Sequence, residues 1–248
     1  MKKHRGRHLL SLLASAALLA SLLPAAFAAE AEGEKHITIL GTSDMHGNIW
    51  GYSYEDNAET DNNGMARLYT YIQQVRAENP NTFLVDAGDD IQGTIMTDDL
   101  YNKTPEEPHP VVTAMNYMGY DAMTLGNHEF NYAPQIQWNY YNLLTSTDKA
   151  VAGQPVDVIC SNVVETETNE SVFSPYKTFT YKFEDGTTFT IGLLGFENMN
   201  NANWDVASHY EGCTFGHPDN TEKSYVYEWE NYYGKEMQEK CDYIIVAM

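Results

Sequence analysis

The sequence predicts an α/β fold, a largely parallel sheet flanked by helices. Two observations predict it. Short apolar, β-branched runs alternate with segments whose apolar residues recur at helical spacing, in the order strand–helix–strand–helix–strand. Further along, two runs alternate apolar and polar residues around Asp185-Gly186, which signals an antiparallel hairpin.

His36 to Gly41 (HITILG) reads as a buried strand. Residues 47–64 are polar and rich in Asn and Asp, hence a loop. Met65, Leu68, Tyr69, Ile72 and Val75 fall at helical spacing, and Asn79-Pro80 ends that helix. Thr82 to Asp86 (TFLVD) is a second strand. Residues 88–109 form a polar loop with room for a short helix. Val111 to Met118 reads as a helix stopped by Gly119. Asp121 to Leu125 is a third strand, and Pro134 opens another helix, since proline is tolerated in a first turn. Val156 to Cys160 is a further strand. Phe179, Tyr181 and Phe183 make one arm of the hairpin; Phe189, Ile191 and Leu193 make the other. Residues 221–240 are a charged, Tyr-rich helix, and Asp242 to Ala247 (DYIIVA) is a last buried strand.

The 248 residues carry 35 Asp+Glu against 14 Lys+Arg, a net charge of −21. That balance excludes binding to a nucleic-acid duplex through its phosphates, which needs a basic face. Hydrophobic residues make up 43%, enough for a sizeable core and against wholesale disorder. Three cysteines (Cys160, Cys213, Cys241) do not make a disulfide scaffold, and in an oxidising compartment they allow at most one internal bridge.

Residues 1–28 read as a signal peptide. Lys2, Lys3, Arg5 and Arg7 precede an apolar run from Leu9 to Leu23, and Ala26-Phe27-Ala28 gives a small-x-small cleavage signature. The run is short for a stable membrane span. Residues 29–35 form a flexible lead-in, and residues 36–248 the folded domain. The protein is therefore expected to be secreted, to the periplasm or cell surface. Without residues 1–28, 10 basic side chains face 35 acidic ones, a net of −25.

In open α/β sheets, ligands bind beyond the carboxyl ends of the strands. Three strands in succession deliver polar clusters there: Asp44-Met45-His46-Gly47, Gly88-Asp89-Asp90 and Gly126-Asn127-His128-Glu129. Each alone has an ordinary reading, as a chance pairing, a turn, or a turn with a helix cap. Together they supply carboxylate oxygens and imidazole nitrogens suited to first-row divalent metals. Asp44 and His46, one residue apart, can face one ion; Asp89 has two oxygens with which to bridge two; Asn127 offers a neutral amide oxygen. The remaining histidines read otherwise. His109 closes a loop beside the site, and His209 and His217 are surface residues; Gly216-His217 is set aside as a metal motif because no strand is expected before it.

The motifs TSDMHGN (42–48), VDAGDDIQG (85–93) and LGNHEFNYA (125–133) resemble those of the calcineurin-like metallophosphoesterases. The likeness is nearer to the secreted 5′-nucleotidase/2′,3′-cyclic-nucleotide 2′-phosphodiesterase family. HPVVTAMNYMGYDA (109–122), SNVV (161–164) and IGLLGF (191–196) support it. The resemblance implies a metallophosphoesterase-type layered β-sheet core with the hairpin as an insertion. It also implies two divalent metal ions (Mn, Fe, Zn or Co), with Asp44 and His46 on the first, Asp89 bridging and Asn127 on the second. His128 would be the catalytic histidine, and water activated by the two metals would hydrolyse a nucleotide or other small phosphoester. Many 5′-nucleotidases orient that histidine with an Asp where this chain has Asn131. The change favours 2′,3′-cyclic nucleotides and 3′-nucleotides as substrates, over 5′-nucleotides or nucleotide sugars.

The final expected strand reaches Ala247-Met248, where strand-end logic calls for another polar cluster. The family continues there with further metal-binding histidines and a C-terminal nucleotide-binding domain. The sequence is therefore expected to be the N-terminal part of a longer protein, and on its own to be an incomplete, inactive metal-binding fragment.

Overall fold

The computed structural model describes residues 34–101, 109–148 and 153–248. The expected signal peptide and most of the lead-in lie outside them. Eleven strands occur among the described residues: β1 (Thr38–Thr42), β2 (Tyr52–Ser53), β3 (Ala58–Glu59), β4 (Thr82–Asp86), β5 (Ala122–Met123), β6 (Asp157–Val158), β7 (Val163–Glu165), β8 (Tyr176–Lys182), β9 (Thr188–Gly195), β10 (Cys213–Phe215) and β11 (Tyr243–Ala247). The α-helices are α1 (Met65–Glu78), α2 (Pro110–Met118), α3 (Pro134–Leu144), α4 (Tyr225–Glu228) and α5 (Gly234–Lys240). A π-helical stretch, Trp229–Tyr233, joins α4 to α5, so the single expected helix is continuous but wider-wound in the middle.

Strands β1-β4-β5-β6 form a wholly parallel sheet in that order, with α1, α2 and α3 as the crossovers. The hairpin of β8 and β9 takes β11 as a third strand, parallel to β9, and so builds a second sheet.

Alternation along the strands decides which layer each side chain joins. Leu84, Met123 and Val158 face the helices, packing with Ile72 of α1, Val111 and Met115 of α2, and Tyr140 and Leu144 of α3. Their neighbours Phe83, Val85, Ala122 and Ile159 face the other way, onto Leu193 and Ala247 of the second sheet. The far face of that sheet, Leu194 followed by Phe196, packs on Tyr233 and Met237. Residues 37–248 thus form helix, sheet, sheet and helix layers in one compact unit. Each fully buried large side chain contributes roughly 1.5–3 kcal/mol.

Two strands expected to be buried are not. β1 and β11 are edge strands, and Ile39 is 42% and Val246 51% exposed. An edge strand has a neighbour on one side only, so an apolar run there is not fully covered. β4, the second strand of its sheet, is buried at every position.

Helix ends follow local chemistry. The N-cap of α2 is His109, whose Nδ1 accepts the Val111 N–H at 3.3 Å. Its ring meets Tyr140 edge-on, and burial lowers its pKa to about 4. His109 therefore caps a helix. At the other end Gly119 is left-handed (φ 72°). There Arg76 of α1 donates to the Met118 and Gly119 carbonyls at 2.5 and 2.6 Å, a cation at a helix C-terminus. Among the described residues no helix is long and apolar enough to cross a membrane, and the three cysteines are free thiols.

Candidate active site

The three sequence clusters converge where β1, β4 and β5 end. Backbone bonds join the first two loops: Asp44 N–H donates to Gly88 O (2.9 Å), His46 N–H to Asp89 O (2.9 Å) and Gly47 N–H to Asp90 O (2.7 Å). Asp44, His46 and Asp89 all have left-handed backbones, with φ of 56°, 48° and 65°. Non-glycine residues in that region are uncommon and cluster at functional sites, held there by surrounding bonds.

The second and third loops touch so closely that side chains are excluded. A Cβ on Gly88 would lie 2.0 Å from the Gly126 nitrogen, and one on Gly126 would lie 2.3 Å from Asp89 Oδ1. Glu129 holds them together from within. Its Oε2 accepts the N–H groups of Asp89 and Gly126, each at 2.8 Å, and its Oε1 accepts that of Asp90 at 2.7 Å. The Gly126 bond is the returning half of a capping box. Glu129 is fully buried, and burial pushes its carboxyl up to about 7 despite those bonds. Asp86, at the end of β4, accepts from Gly88 N–H and the Thr42 hydroxyl, and burial lifts it to about 6. Beside it Asp90, wholly buried, is pushed well above the usual carboxylate range by burial and then by Asp86.

His46, Asp89 and His128 each present one ligand atom, all within 4.8 Å of one another. This brings together two expected metal ligands and the expected catalytic histidine. Asp44 lies beside them, its Oδ1 3.8 Å from His46 Nε2, with a side chain 62% exposed. Asn127 opens the 3₁₀ turn Asn127–Phe130, half-buried and next to His128. His46 Nδ1 donates to Gln92 O at 2.8 Å, leaving Nε2 as the free ring nitrogen. His128 is held by its backbone N–H on Asp89 Oδ1 (2.8 Å) and by Nδ1 donating to Asn131 Oδ1 (2.6 Å). Each imidazole is thus oriented by a bond at its other nitrogen, as metal-site histidines are. The donor set of imidazole nitrogens and carboxylates fits a first-row divalent cation.

Two histidines expected at the surface are instead tied to carboxylates, His209 half-buried and His217 buried. His209 donates from Nδ1 to Asp205 Oδ1 at 2.8 Å, and Asp205 Oδ2 accepts from Asn131 Nδ2 at 3.3 Å, so His209 belongs to the network behind His128. His217 is buried, and a strand, β10, does precede it. It bonds Glu228 through both its backbone N–H and Nδ1 and stacks on Tyr232 with centroids 3.6 Å apart. Burial pushes Glu228 up, but the bonds from His217 and Asn220 outweigh it and hold the carboxyl low.

Residues 37–247 match the family of calcineurin-like phosphoesterases. The chain belongs to that family. It is 35% identical over 182 residues to the trifunctional nucleotide phosphoesterase protein YfkN of Bacillus subtilis, covering 68% of this chain and 12% of that protein. It is 31% identical over 240 residues to the 2′,3′-cyclic-nucleotide 2′-phosphodiesterase/3′-nucleotidase of Salmonella typhimurium, covering 94% of this chain and 34% of the relative. The crystal structure of the calcineurin-like phosphoesterase YfkN superposes with a TM-score of 0.68 at 30% identity, covering 85% of this chain and 61% of that one. The chain thus spans about a third or less of the length of these two curated relatives. Two residues around this candidate site, Glu129 and Asp205, make contacts that the sequence did not indicate. Glu129 was within reach as the third residue after a candidate cap; Asp205 gave no local signal.

Proposed function

We propose that this chain carries the metal-binding part of an exported phosphoesterase acting on nucleotides, with 2′,3′-cyclic nucleotides and 3′-nucleotides favoured. The observation that carries the reading is the His46–Asp89–His128 cluster, with three ligand atoms within 4.8 Å at the ends of parallel strands. Asp44, His46, Asp89 and Asn127 would hold two divalent cations of the Mn, Fe, Zn or Co kind. When bound, these would supply Lewis acidity and neutralise phosphate charge.

The chain's own residues then orient and transfer protons. His46, tethered at Nδ1 by Gln92 O, would hold a cation through Nε2. Asp89 accepts the His128 N–H with Oδ1, and its other oxygen would be available to the cations. His128, held at Nδ1 by Asn131, presents Nε2 toward the phosphate. In the imidazolium form, with both ring nitrogens protonated, it gives a hydrogen bond there, or a proton to the leaving oxygen, and is left as the neutral ring protonated at Nδ1. No covalent enzyme intermediate is required. Asn131 in place of a carboxylate supports the cyclic and 3′-nucleotide preference, as does the name of the Salmonella relative. The signal-like residues 1–28 support export, which N-terminal sequencing of the exported protein tests.

The direct test is turnover with Mn²⁺ of 2′,3′-cyclic AMP, 3′-AMP and 5′-AMP by the full-length protein, since this chain spans only part of its relatives' length. Faster release from the first two supports the reading. A preference for 5′-AMP makes it a 5′-nucleotidase, and no turnover of any of the three overturns it.

A further inference from the structure

We propose that Asp205 is a positioning residue for His128, acting through the Asn131 amide. The inference rests on the role given to His128 above and extends it to a residue 74 positions from Asn131.

A carboxamide has two unlike ends: its oxygen only accepts, its nitrogen only donates. A carboxylate only accepts. Asp205 Oδ2 lies 3.3 Å from Asn131 Nδ2, so the amide nitrogen must face Asp205 and the amide oxygen must face His128. The His128 nitrogen opposite that oxygen must then carry its hydrogen. One carboxylate therefore fixes the orientation of the amide and, through it, the tautomer of the ring, leaving Nε2 open to the site. An unsupervised amide can turn over and present its nitrogen to Nδ1, which forces the opposite tautomer on the neutral ring and sets donor against donor in the imidazolium that delivers the proton.

Asp205 is itself held on every side. Its Oδ1 accepts from His209 Nδ1 (2.8 Å) and from Val206 N–H (2.7 Å), and its own N–H donates to Asn201 O (3.1 Å). Its side chain is only 5% exposed. The charge missing at position 131 is thus supplied one hydrogen bond further back, from the segment between β9 and β10.

The test pairs kinetics with nitrogen-15 NMR of the His128 ring, on the full chain. D205N keeps the shape and removes the charge that dictates the amide. We expect kcat on the phosphoester to fall about 10–100-fold, as for other outer-shell partners of metal-site groups, with KM little changed. N131D places a carboxylate directly on His128, next to Asp205. In that background D205N relieves repulsion between two carboxylates and should raise kcat. A purely structural role would lower it in both. In metal-free protein at alkaline pH, the His128 ring should be protonated at Nδ1 in the parent and mixed in D205N. Unchanged kcat in D205N, an equal loss in both backgrounds, or an unchanged tautomer would each overturn the proposal. If the parent turns over no phosphoester, the proposed function fails, and the ring tautomer still decides this inference.

Discussion

The Glu129 carboxylate accepts the backbone N–H of Asp89 across 40 residues of chain, at 2.8 Å. It thereby ties the loop after β4 to the loop after β5 from the buried side, while the candidate ligands face outward. Glu129→Gln keeps the volume but replaces one acceptor oxygen by a donor facing N–H groups. Leaving one or two buried donors unmet costs about 1–3 kcal/mol each. At roughly 2–4 °C per kcal/mol for a domain of this size, thermal unfolding should drop by at least about 2 °C. An unchanged melting temperature would show that the carboxylate is not what joins the loops.

Asp89→Asn retains a residue type that tolerates a left-handed backbone and keeps an oxygen for the His128 N–H. Only the charge is lost. Calorimetry with Mn²⁺ should show affinity falling by more than the roughly 10–100-fold typical of losing an outer-shell partner. Binding at parental affinity would remove Asp89 from the ligand set.

His128→Ala separates two roles. Removing a general acid lowers turnover by about 10²–10⁴-fold. We expect that loss with Mn²⁺ affinity little changed. A parallel loss of affinity would make His128 a metal ligand, as its place within 4.8 Å of His46 and Asp89 allows.

Stability of the metal-free chain should fall as the solution becomes alkaline. Burial raises Asp86 to about 6 and Glu129 to about 7, so between about pH 4.5 and 7 the folded chain holds protons that the unfolded chain has released. Stability present below that window is lost on rising through it. His109 opposes this only between about pH 4 and 6.5, where the unfolded imidazole takes the extra proton. From pH 6.5 to 8 the carboxyl effect stands alone, and the melting temperature should decline by several degrees, at roughly 2–4 °C per kcal/mol. Mn²⁺ favours ionised carboxylates and should flatten the slope. A metal-free chain that melts higher at pH 8 than at pH 6.5 would contradict the burial of these acids.

Much of this arrangement was legible in the chain. TFLVD, apolar and β-branched, forms β4 at the expected bounds, and the Met65–Val75 periodicity locates α1. The three polar clusters meet because consecutive parallel strands all end on one side of a sheet. What could not be read is long-range pairing between polar residues. Asp205 and Asn131, or His217 and Glu228, have no periodicity that links them, and a histidine in a polar stretch looks the same whether solvated or buried on a carboxylate. Edge position was also hidden: HITILG and DYIIVA have core composition but only one neighbouring strand each.

The left-handed turns at Asp44, His46 and Asp89 set folding against function at the same three positions. Glycine adopts such a backbone without steric cost, yet it offers no ligand atom. A deep mutational scan scored for abundance should therefore rank glycine among the best-tolerated replacements there, while a scan scored for catalysis ranks it with the dead. The disagreement between the two maps would mark the site without a substrate being known.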